Sequence, residues 1–288
     1  MLTYAIVTPA RNERDNLRRL AESVIAQDHR PARWVIVDDG SDDGTAEVAA
    51  ALACEHDWIT VLATEEDPDD DLAQGRRRGR DLLAFRRGLG ALPAPVDVFV
   101  KVDADTSFDR DYFSRLLECF AEQPELGIGG GCCYELSDGS WERVKAADSH
   151  PRGASRAYRW ELLDVVEALE PELGWDGVDE VFVELRGFET RGFRDFGFRH
   201  HRKVGEREGA LRAGSALGRQ AWYMGYRPTY VMLRAVYRAR ENAASLAMVW
   251  GYATAAVTGA PQCNEASVTQ RVRDRQRLRV VARRGSWS

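Results

Sequence analysis

Lysine is scarce in this chain. Lys101, Lys145 and Lys203 are the only lysines among 40 basic residues, and arginine supplies the rest. Together with the many alanines, that bias reflects a GC-rich coding sequence more than a function. Cysteine is sparse too: Cys54, Cys119, Cys132, Cys133 and Cys263 form no C-x-x-C pair. An odd count with one adjacent pair argues against a disulfide framework, so reduced thiols are expected. A mean hydropathy of −0.43 with 30% charged residues leaves no room for a polytopic membrane protein. The N-terminal stretch MLTYAIVTPA has neither the basic region nor the cleavage site of a signal peptide. A cytoplasmic protein is the expectation. Internal repeats and low-complexity segments are also missing.

What is present suffices for a buried core: 44% of 288 residues are apolar, a length that suits one large domain or two small ones. The formal net charge is −6, unevenly spread. Residues 262–288 carry seven arginines against Glu265 and Asp274, and Arg191–Arg240 holds twelve basic residues against three acids, while the first half is acidic. With no recognised nucleic-acid motif, this pattern argues against nucleic acid as a partner.

The first hundred residues alternate short apolar runs with helical patterns, the signature of βαβ units and a largely parallel sheet. Strands are predicted at Tyr4–Thr8, Trp34–Val37, Thr60–Ala63 and Val96–Val102, with helices near Asp15–Gln27, Gly44–Glu55 and Arg77–Gly90. Asn12 or Asp15 is the expected cap of the first helix, and Ser41 or Asp42 of the second. Beyond residue 110 come a helix over Arg110–Glu122, a Gly-rich strand over Gly127–Glu135, a strand over Gly192–Phe198 and a region rich in helices. The acidic stretch Glu65–Asp71 reads as a solvated loop.

Two acidic segments can carry chemistry. The run Phe99-Val100-Lys101-Val102-Asp103-Ala104-Asp105 is an apolar strand ending in two carboxylates one residue apart. Ligands of α/β sheets bind at that end of the strands, and two hard oxygen ligands there suit Mg²⁺ or Mn²⁺. An Asp-capped turn would serve the same tripeptide. After the second strand, Asp38-Asp39-Gly40-Ser41-Asp42-Asp43-Gly44-Thr45 places Asp39 where its carboxylate can accept from a nucleobase N–H or a ribose hydroxyl. Read alone, a Gly/Asp loop capping a helix explains it equally.

Taken in order, VTPARNE at 7–13, VIVDDGSDDGT at 35–45, VDADTSF at 102–108, GWDGVDE at 174–180 and the histidine pair at 200–201 resemble glycosyltransferase family 2. The resemblance covers residues 1–205. It implies the GT-A fold, a Rossmann-like mixed, mostly parallel sheet flanked by helices. The implied domains are a catalytic domain over 1–205, with a nucleotide-sugar half at 1–110 and an acceptor half at 111–205, then a helical C-terminal extension with a basic tail over 206–288. The implied reaction is metal-dependent, inverting transfer from a UDP-, GDP- or dTDP-sugar to an acceptor that is a glycan, a lipid-linked molecule or a small aglycone. By position, Pro9, Ala10, Arg11 and Glu13 would line the nucleotide pocket, Asp39 would face the base, and Asp103 and Asp105 would hold ribose, metal and diphosphate. His200 or His201 would complete the metal site. Among Arg76, Arg77, Arg78 and Arg80, the last is the best placed for the diphosphate.

The acceptor hydroxyl needs a carboxylate to remove its proton. The family's Glu-Asp pair is missing in that order, so Asp176, or Asp179 and Glu180 one turn on, must stand in; the spacing of eleven residues from Asp176 to Gly187-Phe188 favours Asp176. His150, Arg152 and Trp175 are weaker acceptor-side candidates. Arg86 stands where the family often has Asn. Two other readings stay open: a nucleotidyltransferase of similar α/β core, and an inactive sugar-nucleotide-binding protein. Residues 243–264 carry no charge, but their Ala, Gly, Ser and Thr content fits a packed or interfacial helix better than a span. With the basic tail they raise the expectation of peripheral contact with the inner membrane face through 243–288.

Overall fold

The computed structural model describes residues 1–64, 79–202, 209–240 and 242–277, which fall into two compact units. The acidic stretch 65–71, Arg76–Arg78 and Arg279, Arg283 and Arg284 lie outside the described residues.

The first unit comprises Met1–Asp70, Arg80–Ala168 and Val183–Lys203. Its strands are β1 (Tyr4–Ala10), β2 (Arg33–Asp38), β3 (Ile59–Ala63), β4 (Val98–Val102), β5 (Thr106–Phe108), β6 (Leu126–Ser137), β7 (Ser140–Arg143), β8 (Ser155–Arg159) and β9 (Glu189–His200). They form one mixed sheet in the order β3-β2-β1-β4-β8-β6-β9-β5, with β7 paired to β6. β1 runs parallel to β2 and β4, and β2 to β3, as the βαβ pattern requires. Beyond β4 the sheet turns antiparallel through β8, and β9 then joins β6 in parallel and β5 in antiparallel pairing.

Side-chain alternation gives the sheet two buried faces. Tyr4, Ile6, Trp34, Ile36, Val98 and Val100 point to one core, shared with α1 (Arg14–Ile25), α2 (Thr45–Glu55) and α4 (Tyr112–Glu122). Against the other face lies α3 (Arg80–Gly90), whose Phe85 packs on Phe99 and Tyr158; the short α5 (Leu163–Ala168) follows β8 in the chain. Gly88 makes that approach possible: a Cβ there would lie 2.3 Å from Val7 Cγ1. β1 extends past the predicted Thr8 because Ala10 O still accepts from Asp39 N (2.8 Å). The β4 ladder has already ended at Val7, so the missing N–H of Pro9 costs no pairing.

Capping differs from expectation. Glu13, not Asn12 or Asp15, precedes α1, and makes no side-chain cap bond. Before α2, Gly44 adopts φ +93° and Asp43 Oδ1 accepts from Thr45 N (2.9 Å). Asn12 and Ser41 instead pin the two loops together: Asn12 Oδ1 accepts from Asp42 N and Ser41 Oγ from Asn12 N, both at 3.0 Å.

The second unit contains Leu169–Phe182 and the described residues after 208. It holds most of α6 (Trp175–Leu185), then α7 (Ala210–Tyr223), α8 (Pro228–Ala239), a 3-10 turn at Ala243–Leu246, α9 (Ala247–Val257) and α10 (Ala266–Arg275). The uncharged run is thus broken, and α9 has 11 residues; among the described residues no helix is long and apolar enough to cross a membrane. α7 and α9 touch backbone to backbone, since a Cβ on Gly218 or Gly251 would lie 2.0 Å from the carbonyl oxygens of Met248 and Ser215. The described part of the basic tail is a packed helix, not a free arm. Val268 and Val272 are buried, Arg273 Nε donates to Gly225 O (3.0 Å), and Arg277 pairs with Asp274 (2.7 Å).

Candidate active site

The nucleotide-side candidates gather at the C-terminal ends of β1 and β2. Pro9 and Ala10 close β1, opposite Val37 and Asp38. Asp39 is 8% exposed, and both of its oxygens are engaged: Arg80 Nε and Nη2 donate to Oδ2 and Oδ1 at 2.9 and 2.8 Å, and Thr64 Oγ1 donates to Oδ1 at 2.7 Å. Burial works against the carboxylate's charge, but the bonds from Arg80 and Thr64, with the charges of Arg80 and Arg11, hold its pKa below the usual range. Arg80 therefore clamps Asp39. Arg86, in the same helix, donates from Nε to Val166 O (2.8 Å), a packing contact.

At the end of β4 the two carboxylates of the D-x-D segment differ. Asp103 has a side chain 36% exposed and pairs with Lys101, a lysine 3% exposed that also donates to Gly153 O. Asp105 is buried, so it is no surface carboxylate. His200 Nε2 lies 3.3 Å from its Oδ1, and Arg202 Nη1 lies 3.1 Å from its Oδ2. Arg202 also grips Glu13 with two bonds, at 2.7 and 2.6 Å. On the far side of the imidazole, His200 Nδ1 lies 3.4 Å from Glu135 Oε1, itself 3.9 Å from Arg152 Nη2. A chain of alternating charge results: Glu13, Arg202, Asp105, His200, Glu135, Arg152. Cys133 adds its sulfur to the cluster, within 4.8 Å of ligand atoms of Glu135 and His200.

This arrangement separates the two histidines. Burial opposes charge on His200, but its hydrogen bonds to Asp105, Cys133 and Glu135, which accept from the ring, outweigh it and raise the pKa to about 11. The same contact, with Arg202, holds Asp105 below the usual range despite burial. His201 turns away: its Nε2 meets Ser107 Oγ at 2.8 Å, its ring stands edge-on to Trp141, and burial with the charge of Arg19 lowers its pKa to about 4. Of the pair, His200 is the one beside Asp105.

The base candidates sit in α6. Asp176 is half-buried in its first turn; Asp179 and Glu180 are 0% and 8% exposed, and Asp179 Oδ1 accepts from Glu180 N at 2.6 Å. Trp175 is 4% exposed, so little of its ring is offered to a sugar. His150 is half-buried in the loop before β8, while Arg152 faces Glu135. Glu135, Arg202 and Lys101 are the residues that sequence reasoning missed. Arg202 directly follows the histidine pair, a usable signal; Glu135 reaches His200 only through the β6–β9 register, which no local pattern reveals.

Residues 5–166 match the model of glycosyl transferase family 2, more than half of the chain. The protein belongs to this family. The poly-beta-1,6-N-acetyl-D-glucosamine synthase of Staphylococcus aureus is 29% identical over 120 residues, 42% of this chain and 26% of the synthase. The succinoglycan biosynthesis protein ExoA of Rhizobium meliloti is 33% identical over 119 residues, 39% of this chain and 31% of ExoA. The chain thus matches less than a third of either relative's length. Among solved structures, the mannosyltransferase PcManGT of Pyrobaculum calidifontis, in complex with GDP-Man and Mn²⁺, gives a TM-score of 0.57 at 17% identity, covering 90% of this chain and 76% of that one. S. aureus TarS 1-349 in complex with UDP-GlcNAc gives 0.55 at 14% identity, covering 76% and 66%. Both are similar in fold, which is GT-A.

Proposed function

We propose that the protein moves a sugar from a nucleoside diphosphate sugar to an acceptor hydroxyl, with inversion and with the help of Mn²⁺ or Mg²⁺. The observation that carries this reading is the convergence of Asp105 and His200 Nε2, 3.3 Å apart at the carboxyl end of the β1–β2–β4 edge. A buried carboxylate and an imidazole form a donor set that suits Mn²⁺ and accepts Mg²⁺ through the carboxylate, so the residues fit such an ion. When bound, the cation supplies Lewis-acid stabilisation to the diphosphate leaving group. Asp105 and His200 hold it, Glu135 keeps the Nδ1 proton of His200, and Arg202 balances the charge of Asp105. The more exposed Asp103 is left to meet the ribose or the diphosphate.

Asp39 accepts from the base. Each of its oxygens has two lone pairs, and Arg80 and Thr64 leave room for a further donor. Arg80 in this reading orients Asp39 and does not reach the diphosphate. Asp176, in the first turn of α6, takes the acceptor's proton as general base, with Asp179 one turn away as the alternative. The acceptor is a glycan, a lipid-linked molecule or a small aglycone. Support for the donor class comes from the relatives, which hold GDP-Man with Mn²⁺ or UDP-GlcNAc in their solved complexes.

The test is incubation with UDP-, GDP- and dTDP-sugars plus Mn²⁺. Slow release of a nucleoside diphosphate is expected, and the product sugar should carry the opposite anomeric configuration. Pyrophosphate released in a parallel incubation with a nucleoside triphosphate and a sugar 1-phosphate would point to a nucleotidyltransferase, and no product in either incubation to an inactive binder.

A further inference from the structure

We propose that the outward sides of α8 and α9 form a docking surface for an anionic lipid bilayer. Each helix has an inward side in a shared core, with Val231 and Ala235 of α8 and Met248 of α9 buried together against Ala221. The opposite side of a surface helix is normally polar. Here α8 instead presents Met232, Leu233, Val236 and Tyr237, exposed by 54, 41, 58 and 45%. α9 and the turn before it present Leu246 at 51%, Val249 at 37%, Trp250 at 73% and Val257 at 88%. Scattered apolar residues need no explanation, but a run of them on two packed helices marks an interaction surface.

The charge of this segment selects the partner. Residues 209–264 hold six arginines and a single acid, Glu241, a sum of +5 in a chain whose total is −6. Arg212 and Arg240 are exposed within it. The net positive charge of this segment favours anionic headgroups over a second copy of the same segment as its partner. Apolar side chains with a prominent tryptophan, flanked by arginines, are the composition of helices that lie in the membrane interface. Spanning is excluded for α9: its 11 residues rise about 16 Å, against about 30 Å of hydrocarbon. The surface is therefore built into the helical unit itself and does not depend on the arginine-rich tail. It is also independent of the donor assigned above.

The experiment is co-sedimentation of the full chain with vesicles of phosphatidylglycerol and phosphatidylcholine, or of phosphatidylcholine alone, at low salt. The bound fraction should be at least ~10-fold higher on the anionic vesicles, and Met232→Ser/Val236→Ser/Trp250→Ser should lower it by a similar factor. Exposed positions should tolerate serine; circular dichroism checks the fold, and Trp250→Ser alone serves if the triple variant does not fold. Arg212→Gln/Arg240→Gln should narrow the preference for anionic over neutral vesicles. Nucleoside diphosphate release from a soluble donor should be unchanged in all of these. No binding to anionic vesicles at low salt, or binding that the serine variants retain, would overturn the proposal. So would self-association in sedimentation equilibrium that the serine variants abolish, since the face would then join two copies of the chain.

Discussion

Glu135 and His200 are direct partners across the β6–β9 ladder, and the imidazole stands between Glu135 and Asp105. A metal-binding histidine is oriented by what its other nitrogen donates to, and losing that partner costs about 10- to 100-fold in metal affinity. We expect Glu135→Ala to weaken Mn²⁺ binding by that factor, read from the free-ion signal in electron paramagnetic resonance, and Glu135→Gln, which can still accept, to weaken it less. Equal affinity in all three proteins would remove Glu135 from this role. The charges have a consequence for pH. His200 is raised from 6.5 to about 11, so its contribution to stability is fully present below about pH 6.5 and fades as pH rises toward about 11. Asp105 is depressed, so its contribution is present above about pH 4 and is lost on acidification. Melting temperatures of Asp105→Asn should therefore fall furthest below those of the wild type in the range between, and converge with them at both extremes. Because a bound metal needs the neutral imidazole, Mn²⁺ binding at pH 7 should release about one proton, measurable by calorimetry in buffers of different ionisation enthalpy.

Much of the sheet was legible because short continuous apolar runs such as Tyr4–Thr8 and Trp34–Val37 bury on both faces, and the observed β1 and β2 extend them by only a residue or two. The caps were not legible. Asn12 and Ser41 are good capping residues by type, yet they serve a loop-to-loop contact across 29 positions. Asp39 was readable as a candidate from its Gly/Asp setting, but its clamp by Arg80, 41 residues on, was not. In α6 the same contrast yields a prediction. Asp176 is half-buried and Asp179 fully buried. Asp176→Asn should lower kcat by at least ~10² with little change in donor KM, the pattern of a lost base. Asp179→Asn should act mainly on the melting temperature; the reverse outcome moves the base one turn along. Between α7 and α9, Gly218→Ala should cost about 1–3 kcal/mol by overpacking, seen in denaturant unfolding, because its Cβ would meet Met248 O at 2.0 Å.

For the whole molecule, sequence order alone brought the D-x-D segment, the Asp39 loop and the histidine pair together as one family pattern, and the first unit places Asp105 beside His200 accordingly. Sequence could not tell His200 from His201. Adjacent residues on a strand face opposite sides, and only the pairing of β9 with β5 and β6 decides which one meets Asp105. The uncharged run, read as a packed or interfacial helix, folds as a 3-10 turn and a short helix with one buried side. In the proposed function, a nucleoside diphosphate site is completed by a divalent cation on Asp105 and His200. Thermal shift with UDP, GDP and dTDP, each with and without Mn²⁺, tests it most directly, because a ligand that binds only the folded state at 100 times its Kd adds about 2.7 kcal/mol of stability. At least one nucleotide should raise the melting temperature strongly with Mn²⁺, little without it, and not at all in Asp105→Asn. A nucleotide shift that is the same without metal and survives in Asp105→Asn would contradict it.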